Sequence, residues 1–278
     1  MSIISKNNTN HKVVKMNEIE KRKVVEHNDL ISSVAKMDKT PLKIFELAVS
    51  CIDTENPPKD NIIYLSKKEL FRFFKVSDND KHSRFKHAIE VMQKQAYFNI
   101  RQNKELGIEY ESIVPIPTVK WNSYNDDVFI RFNPDIMPYL IDLKNNFTQY
   151  ALSDVMELNS KYSIILYKWL SMNFNQYEHY SHKGGRRKEQ LEEYANPSIK
   201  ISELRQLTDT VNEYKKFPDF RKKTIDIPIE EINRHTHFMV TYEKIKKGRS
   251  IDSIQFHIAK KEQPIELNGE YKEREQDP

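Results

Sequence analysis

Apolar residues recur along this chain with two periods, and the order in which the periods switch is itself a signal. Residues 1–26 are polar and rich in Lys and Glu and read as a mobile arm, with a short strand over 12–16. A helix fits 28–37, with Asn28 or Asp29 as its cap and Leu30, Val34 and Met37 on one side. Thr40-Pro41 opens a second helix, Thr as cap and Pro at the first helical position, with Ile44, Phe45, Ala48 and Ile52 inward. Ile62-Ile63-Tyr64-Leu65 is a short strand, and Ser66-Lys67-Lys68-Glu69 is a capping box that starts a third helix through Leu70, Phe73 and Phe74. After the polar turn Ser77-Asp78-Asn79-Asp80, a fourth helix places Phe85, Ala88, Ile89, Met92 and Ala96 at helical spacing. A strand from Tyr97, a turn at Gly107, a second strand over 108–121 and a third from Val128 follow, and 134–144 reads as a closing helix or linker.

The second half repeats that order. Tyr162-Ser163-Ile164-Ile165-Leu166-Tyr167 matches Thr40-Pro41-Leu42-Lys43-Ile44-Phe45 in phase, and Ile199-Lys200-Ile201-Ser202 is a short strand and cap. A long helix from Phe217 to about Arg234 turns Phe217, Phe220, Thr224 and Ile227 inward, with Pro228 expected to kink or split it near Asp226. A hairpin from Phe238 to Ile258 closes the half, with its turn at Lys246-Lys247-Gly248-Arg249. Helix, short strand, helix-turn-helix and hairpin, twice over, is the order of a winged-helix domain in tandem. The fold class is therefore α+β, two winged-helix domains related by a pseudo-repeat. The expected division is an arm over 1–26, domains over 27–147 and 148–262, and an acidic tail over 263–278.

Composition narrows the function classes. With 14 Phe and 14 Tyr among 278 residues the chain is too aromatic to be disordered. Its apolar runs fall far short of the roughly 20 residues of a spanning helix. The polar N-terminus lacks an apolar signal segment, and the single cysteine, Cys51, excludes an internal disulfide framework, so a reducing, cytoplasmic compartment is expected. Only five glycines are present, and neither common phosphate-cradling glycine motif occurs. Lys, Asn and Ile are abundant over Ala and Gly, an association with AT-rich bacterial genomes.

The net charge of +4 conceals an uneven distribution. Six cations face two carboxylates over 79–104, five face two over 212–223, and four face one over 243–249, whereas the last 18 residues carry six carboxylates and three cations. A lone basic cluster is more often a solvated surface. Three of them, on two candidate recognition helices and one wing, point to a polyanion. The second helix of a helix-turn-helix enters the major groove, where Arg and Lys read guanine and Ser, His and Asn reach base edges or phosphates. The candidate DNA-binding residues are Ser83, Arg84, Lys86, His87 and Lys94 on the first such helix. Lys215, Lys216, Arg221, Lys222 and Lys223 serve the second, and Lys246, Lys247 and Arg249 the wing. Winged-helix domains also dock proteins, but cations at all three places favour DNA.

The ordered set of residues resembles the initiator Rep proteins of theta-replicating, iteron-binding plasmids. The resemblance runs from about Val24 to Ala259. It is carried by Leu30-Ile31 through Phe45-Glu46-Leu47, Tyr64-Leu65-Ser66 with Glu69-Leu70, and Tyr162-Ser163 with Leu166-Tyr167. Ile201-Ser202-Glu203-Leu204-Arg205, the run from Tyr214 to Arg221, Glu231-Ile232-Asn233 and Ile245-Lys246-Lys247-Gly248-Arg249 complete it. It implies binding to direct repeats at an origin, with the C-terminal domain as main reader and the N-terminal domain contacting DNA and mediating dimerisation. It also implies a monomer–homodimer equilibrium, with dimers repressing the initiator's own gene, and host replication proteins as further partners. The basic stretch 181–189, around Gly184-Gly185, reads as a mobile loop without an assigned role.

Other readings are weaker. A rolling-circle nickase needs a His pair and a Tyr nucleophile. His235, His237 and Tyr242 offer the types, but Tyr242 falls on the same strand, with no room for a separate helix to carry it. His179 and His182 lack a neighbouring Cys and read as solvated loop rather than metal ligands. No catalytic residue, metal or cofactor is expected. A winged-helix transcriptional regulator without a replication role has the same spacing and is separated only by the resemblance. A pure interaction scaffold would show absent or salt-insensitive DNA binding.

Overall fold

The computed structural model describes residues 21–75, 80–141, 143 and 146–261. The strand expected over 12–16, the centre of the polar turn 77–80 and the acidic tail lie outside them. The N-terminal half opens with β1 (Lys23–His27), a single turn α1 (Asn28–Ile31), β2 (Val34–Lys36) and α2 (Lys39–Val49). It continues through β3 (Ile62–Ser66), α3 (Lys67–Phe73), α4 (Lys81–Gln95), β4 (Tyr97–Lys104) and β5 (Gly107–Ile113). β6 (Thr118–Lys120), β7 (Asp127–Arg131), a 3-10 turn over Pro134–Tyr139 and β8 (Phe147–Ala151) complete it. The connecting α5 (Leu152–Glu157) leads to α6 (Lys161–Lys183), α7 (Lys188–Ala195), β9 (Ser198–Lys200) and α8 (Ile201–Leu207). Then come α9 (Phe217–Arg221), a π-helical turn over Lys222–Asp226, α10 (Ile227–His235), β10 (Phe238–Lys247) and β11 (Ser250–Lys260).

Each half is organised around one buried helix. In α2, Ile44, Phe45, Leu47 and Ala48 are fully buried, and in α6 Ile164, Leu166, Tyr167 and Leu170 play the same part. Half of the expected capping box forms: the Ser66 hydroxyl accepts from the Glu69 N–H at 3.3 Å, whereas the Glu69 carboxylate pairs with Arg22 at 2.9 Å. In the C-terminal half β9 pairs with β11 of the β10–β11 hairpin, as a minimal wing requires. The N-terminal half departs from this pattern. Here β3 pairs with β7, which pairs with β6, while the β4–β5 hairpin joins β2 in a separate sheet. The pseudo-repeat thus holds for the helices and the strand before the helix-turn-helix, and diverges in the wing.

Several local expectations are corrected. The helix expected over 28–37 stops after one turn. His27 caps it in place of Asn28 or Asp29, because Asn28 is buried and holds Asn146 at 2.9 Å and Thr148 at 2.6 Å. The Ser33 hydroxyl then donates to the Leu30 carbonyl, and the chain leaves as β2 against β4. Residues 23–26, expected in the arm, belong to β1, which pairs with β8 across the junction expected at 147/148. The α2 helix begins at Lys39 after Asp38, so Pro41 sits inside its first turn, where its missing N–H costs no helical bond. The strand expected over 108–121 is interrupted by Pro115 and Pro117, and its end crosses to another sheet as β6. Of the stretch 181–189 only 184–187 is non-helical. Gly184, at φ +75°, ends α6, and α7 begins at Lys188.

The two halves share a buried charged cluster. Lys168 of α6 places its Nζ 2.6 Å from a Glu46 oxygen of α2 and 2.8 Å from a Glu26 oxygen of β1. The Tyr150 hydroxyl of β8 donates to Glu46 at 2.6 Å. Burial, and next the neighbouring Glu46, push the Glu26 carboxyl up to about 7. The Asn159 N–H donates to Glu231 of α10 at 3.0 Å, and Lys36 of β2 pairs with Asp209 beyond α8. Strand, helix and connector therefore meet in one contiguous junction.

Candidate nucleic-acid interface

The first candidate recognition helix, α4, buries Phe85, Ala88, Ile89 and Met92 and leaves Ser83, Arg84, Lys86, His87 and Lys94 exposed. That division follows from the 3.6-residue period alone. Lys86 reaches Glu90 one turn on at 3.9 Å, a solvent-screened contact of little energetic weight. The Phe85 ring meets Trp121 edge-on at 5.4 Å and so ties α4 to the segment after β6.

The second candidate helix is built more elaborately. Arg205 of α8 points into the turn that precedes α9. One of its terminal nitrogens donates to the Thr210 and Glu213 carbonyls at 3.1 and 2.9 Å, and the other to Tyr214 at 2.9 Å. Its guanidinium also lies over the Phe220 ring, 4.1 Å from the centroid. One side chain thereby fixes the angle between the two helices of the motif, including Tyr214 at a φ of +45°. Lys215 and Lys216 follow on the exposed approach to α9.

From Phe217 to His235 the helix is not split by Pro228; it widens. The Ile227 N–H donates to the Lys222 carbonyl, five residues back, and the backbone stays right-handed through the turn. Pro228 offers no N–H to the preceding turn, and the wide turn over Lys222–Asp226 accommodates that loss without breaking the axis. Lys222 and Lys223 lie exposed on it, whereas Phe220, Thr224 and Ile225 are buried. Arg221, half-buried at the edge of this face, donates through Nε to an Asp226 oxygen at 3.0 Å. The other Asp226 oxygen accepts from the Tyr242 hydroxyl of β10 at 2.6 Å. Asp226 thus joins the candidate recognition helix to the wing and holds Arg221 through its Nε.

The wing turn is tighter than expected. Lys247 pairs with Ser250, so Lys246 and Lys247 belong to β10 and only Gly248 and Arg249 form the turn, Gly248 at φ +63°. A register shift between Ile245 and Lys246 adds twist just before the tip. Lys246, Lys247 and Arg249 are exposed, and among the described residues neither they nor Lys215, Lys216, Lys222 and Lys223 have an ion-pair partner. Cations without an internal partner are available to phosphates.

The residues proposed for nicking chemistry serve other ends. Tyr242 is a hydrogen-bond donor to Asp226, and burial followed by that bond pushes its hydroxyl up to about 12, the reverse of an activated nucleophile. His237 is engaged by Asp154 at 2.7 Å. Among the described residues no group of three His, Cys, Asp or Glu side chains is arranged to hold a metal, and no helix is long and apolar enough to cross a membrane.

Two family descriptions cover the chain: "Initiator Replication protein, WH1" matches residues 23–171, and "Initiator Rep protein, WH2" matches 200–258. The chain belongs to the initiator replication protein family. Its fold is accordingly two tandem winged-helix domains. Among curated proteins it is similar to the PI protein of Escherichia coli, 21% identical over 268 residues, covering 88% of this chain and 85% of that protein. A replication initiation protein of Escherichia coli is 24% identical over 143 residues, half of this chain and 40% of that protein. Among solved structures, the Pi initiator protein in complex with iteron DNA matches with a TM-score of 0.67 at 19% identity, over 88% of this chain and 99% of that one. This likeness places the same fold on both chains.

Arg205 and Asp226 were not among the sequence-derived site residues. Arg205 stands out in sequence only as the end of Ile201-Ser202-Glu203-Leu204-Arg205, and Asp226 only as the residue two before Pro228. Neither signal reveals that one clamps the helix-turn-helix and the other couples helix to wing.

Proposed function

We propose that this protein initiates replication of a plasmid by binding direct repeats at its origin through both winged-helix domains, with the second domain as main sequence reader. The observation that carries this reading is the row of exposed cations without ion-pair partners on the second recognition helix and wing, in a chain of the initiator replication family. The DNA-facing set is Ser83, Arg84, Lys86, His87 and Lys94 in the first domain. In the second it is Lys215, Lys216, Arg221, Lys222, Lys223, Lys246, Lys247 and Arg249. The protein acts in the bacterial cytoplasm, has no catalytic step of its own, and is in equilibrium between monomer and a homodimer that represses its own gene. Host replication proteins take over once the origin is bound.

The test is a nuclease footprint over the origin of the plasmid that encodes the protein. Protection repeating with the period of the direct repeats is the expected result. Uniform protection, or none, would refute the reading. In a parallel incubation with supercoiled origin DNA and Mg²⁺ or Mn²⁺ the DNA should stay supercoiled; open circles that disappear with Tyr242→Phe would restore the nickase.

A further inference from the structure

Beside the first candidate recognition helix, α2, α3, α4 and α5 enclose a groove of about 660 Å³. That size suits a small ligand rather than a duplex. Its walls are apolar and largely aromatic: Phe71, Phe73, Phe74, Phe85, Val91 and Met156. At its floor lies one cation. Lys43 of α2 is only 5% exposed, and its Nζ donates a single hydrogen bond, to the Met156 carbonyl at 2.6 Å. The Phe73 ring lies 5.8 Å away. Among the described residues no carboxylate stands within ion-pair distance of this Nζ, and the nearby Glu157 is engaged by Lys75 at 2.6 Å.

An ammonium carries three N–H donors, and a buried charge without a counter-ion is costly to hold. Burial and then the neighbouring Lys39 bring the Lys43 pKa down to about 8, which leaves the group mostly charged at neutral pH. The ionisable groups around it are Asp38 and Lys39 at the start of α2, Lys75 after α3, Arg84 and His87 on α4, Glu157 on α5 and Glu231 on α10. Among the described residues none of these carboxylates pairs with the Lys43 Nζ, whose one protein partner is the Met156 carbonyl, so an anion is the missing complement.

We propose that this groove binds a small monocarboxylate with an apolar body, the carboxylate paired with Lys43 and the body against the phenylalanines and Met156. Arg84 and His87 of the DNA-facing set also line the groove, and the inference does not rest on their touching DNA.

The experiment titrates the full-length protein with decanoate and with 1-decanol, below their aggregation limits, by calorimetry. Decanoate should bind one to one and at least about tenfold tighter than decanol. Lys43→Met should abolish that preference and Lys43→Arg should keep it. Val91→Trp, which narrows the groove and leaves the cation in place, should lose decanoate. In ¹³C-methylated protein the Lys43 resonance, assigned by its loss in Lys43→Arg, should titrate at higher pH when decanoate is present. Equal binding of acid and alcohol, no binding of either, or an unchanged preference in Lys43→Met would each overturn the proposal. Should Lys43→Met fail to fold, decanoate binding unaffected by Val91→Trp, or a Lys43 titration unmoved by decanoate, would do so alone.

Discussion

At the scale of single residues, the second domain works through pairs that its linear order does not advertise. Arg221 is aimed by Asp226, which Tyr242 holds from the wing. Replacing Asp226 with Ala removes a carboxylate beside a basic surface, and by charge alone that change strengthens binding to any DNA. It also releases Arg221, which should lower discrimination. The expected outcome is that the ratio of specific to scrambled binding falls about tenfold, a loss of about 1.4 kcal/mol, while scrambled binding holds or tightens. Parallel weakening on both duplexes, measured by fluorescence anisotropy, would show that Asp226 does not aim Arg221.

Glu26 supplies a residue-scale prediction of a different kind. Its carboxyl is held near 7 in the fold against an ordinary value of 4.5, so the folded state favours the protonated form. The contribution to stability is therefore complete below about 4.5 and is lost as pH rises through about 7. Glu26→Gln keeps the neutral shape and should flatten that dependence, with a gain over the parent that grows from pH 5 to pH 8 to at most on the order of 3 kcal/mol. Urea unfolding at several pH values reads it. An equal effect at both ends of the range would mean that Glu26 is ionised throughout.

At the scale of elements, the chain was legible where one local rule dominated. Ser66 with Glu69, the apolar stripe of α4 and the alternation of β10 and β11 each specify their element without help from the rest of the fold. The failures share a cause. Asn28 does not cap its helix because its side chain is engaged 118 residues away at Asn146, and Pro115 and Pro117 send the strand after Ile113 to a different sheet. The turn between α8 and α9 was equally hidden, because Arg205 stabilises it by bonding three backbone carbonyls. Hydrogen bonds to a charged donor contribute about 1.5–3 kcal/mol each and are not additive. Arg205→Ala should therefore destabilise the protein by at least about 3 kcal/mol, and Arg205→Lys, lacking the fork, should recover less than half of that. Thermal or urea unfolding that leaves Arg205→Ala near the parent would show the turn to be self-supporting.

At the scale of the whole molecule, the tandem order of helices could be seen in the sequence and the junction could not. β1 pairs with β8, and Glu26, Glu46 and Lys168 come from three distant segments, so no window of sequence contains the cluster. A fragment cut at 147 would separate β1 from β8, so self-association is best measured on the full chain. The β4–β5 hairpin leaves Leu106 and Tyr110 at 104% and 73% exposure, together with Ile108, an apolar tip suited to a second copy. Sedimentation should show concentration-dependent dimers that vanish in Leu106→Glu/Tyr110→Glu. Dimers that persist in that variant would place the interface elsewhere.

The central claim is that helix and wing of the second domain divide the work of recognition. It is tested by binding full-length Lys222→Ala, Arg221→Ala and Lys247→Ala to repeat-containing and scrambled duplexes over a salt series. Base-reading residues on the helix should each reduce discrimination by roughly 1–3 kcal/mol. The wing variant should weaken both duplexes alike and reduce the salt slope by about one. Discrimination lost in Lys247→Ala but intact in both helix variants would contradict this division.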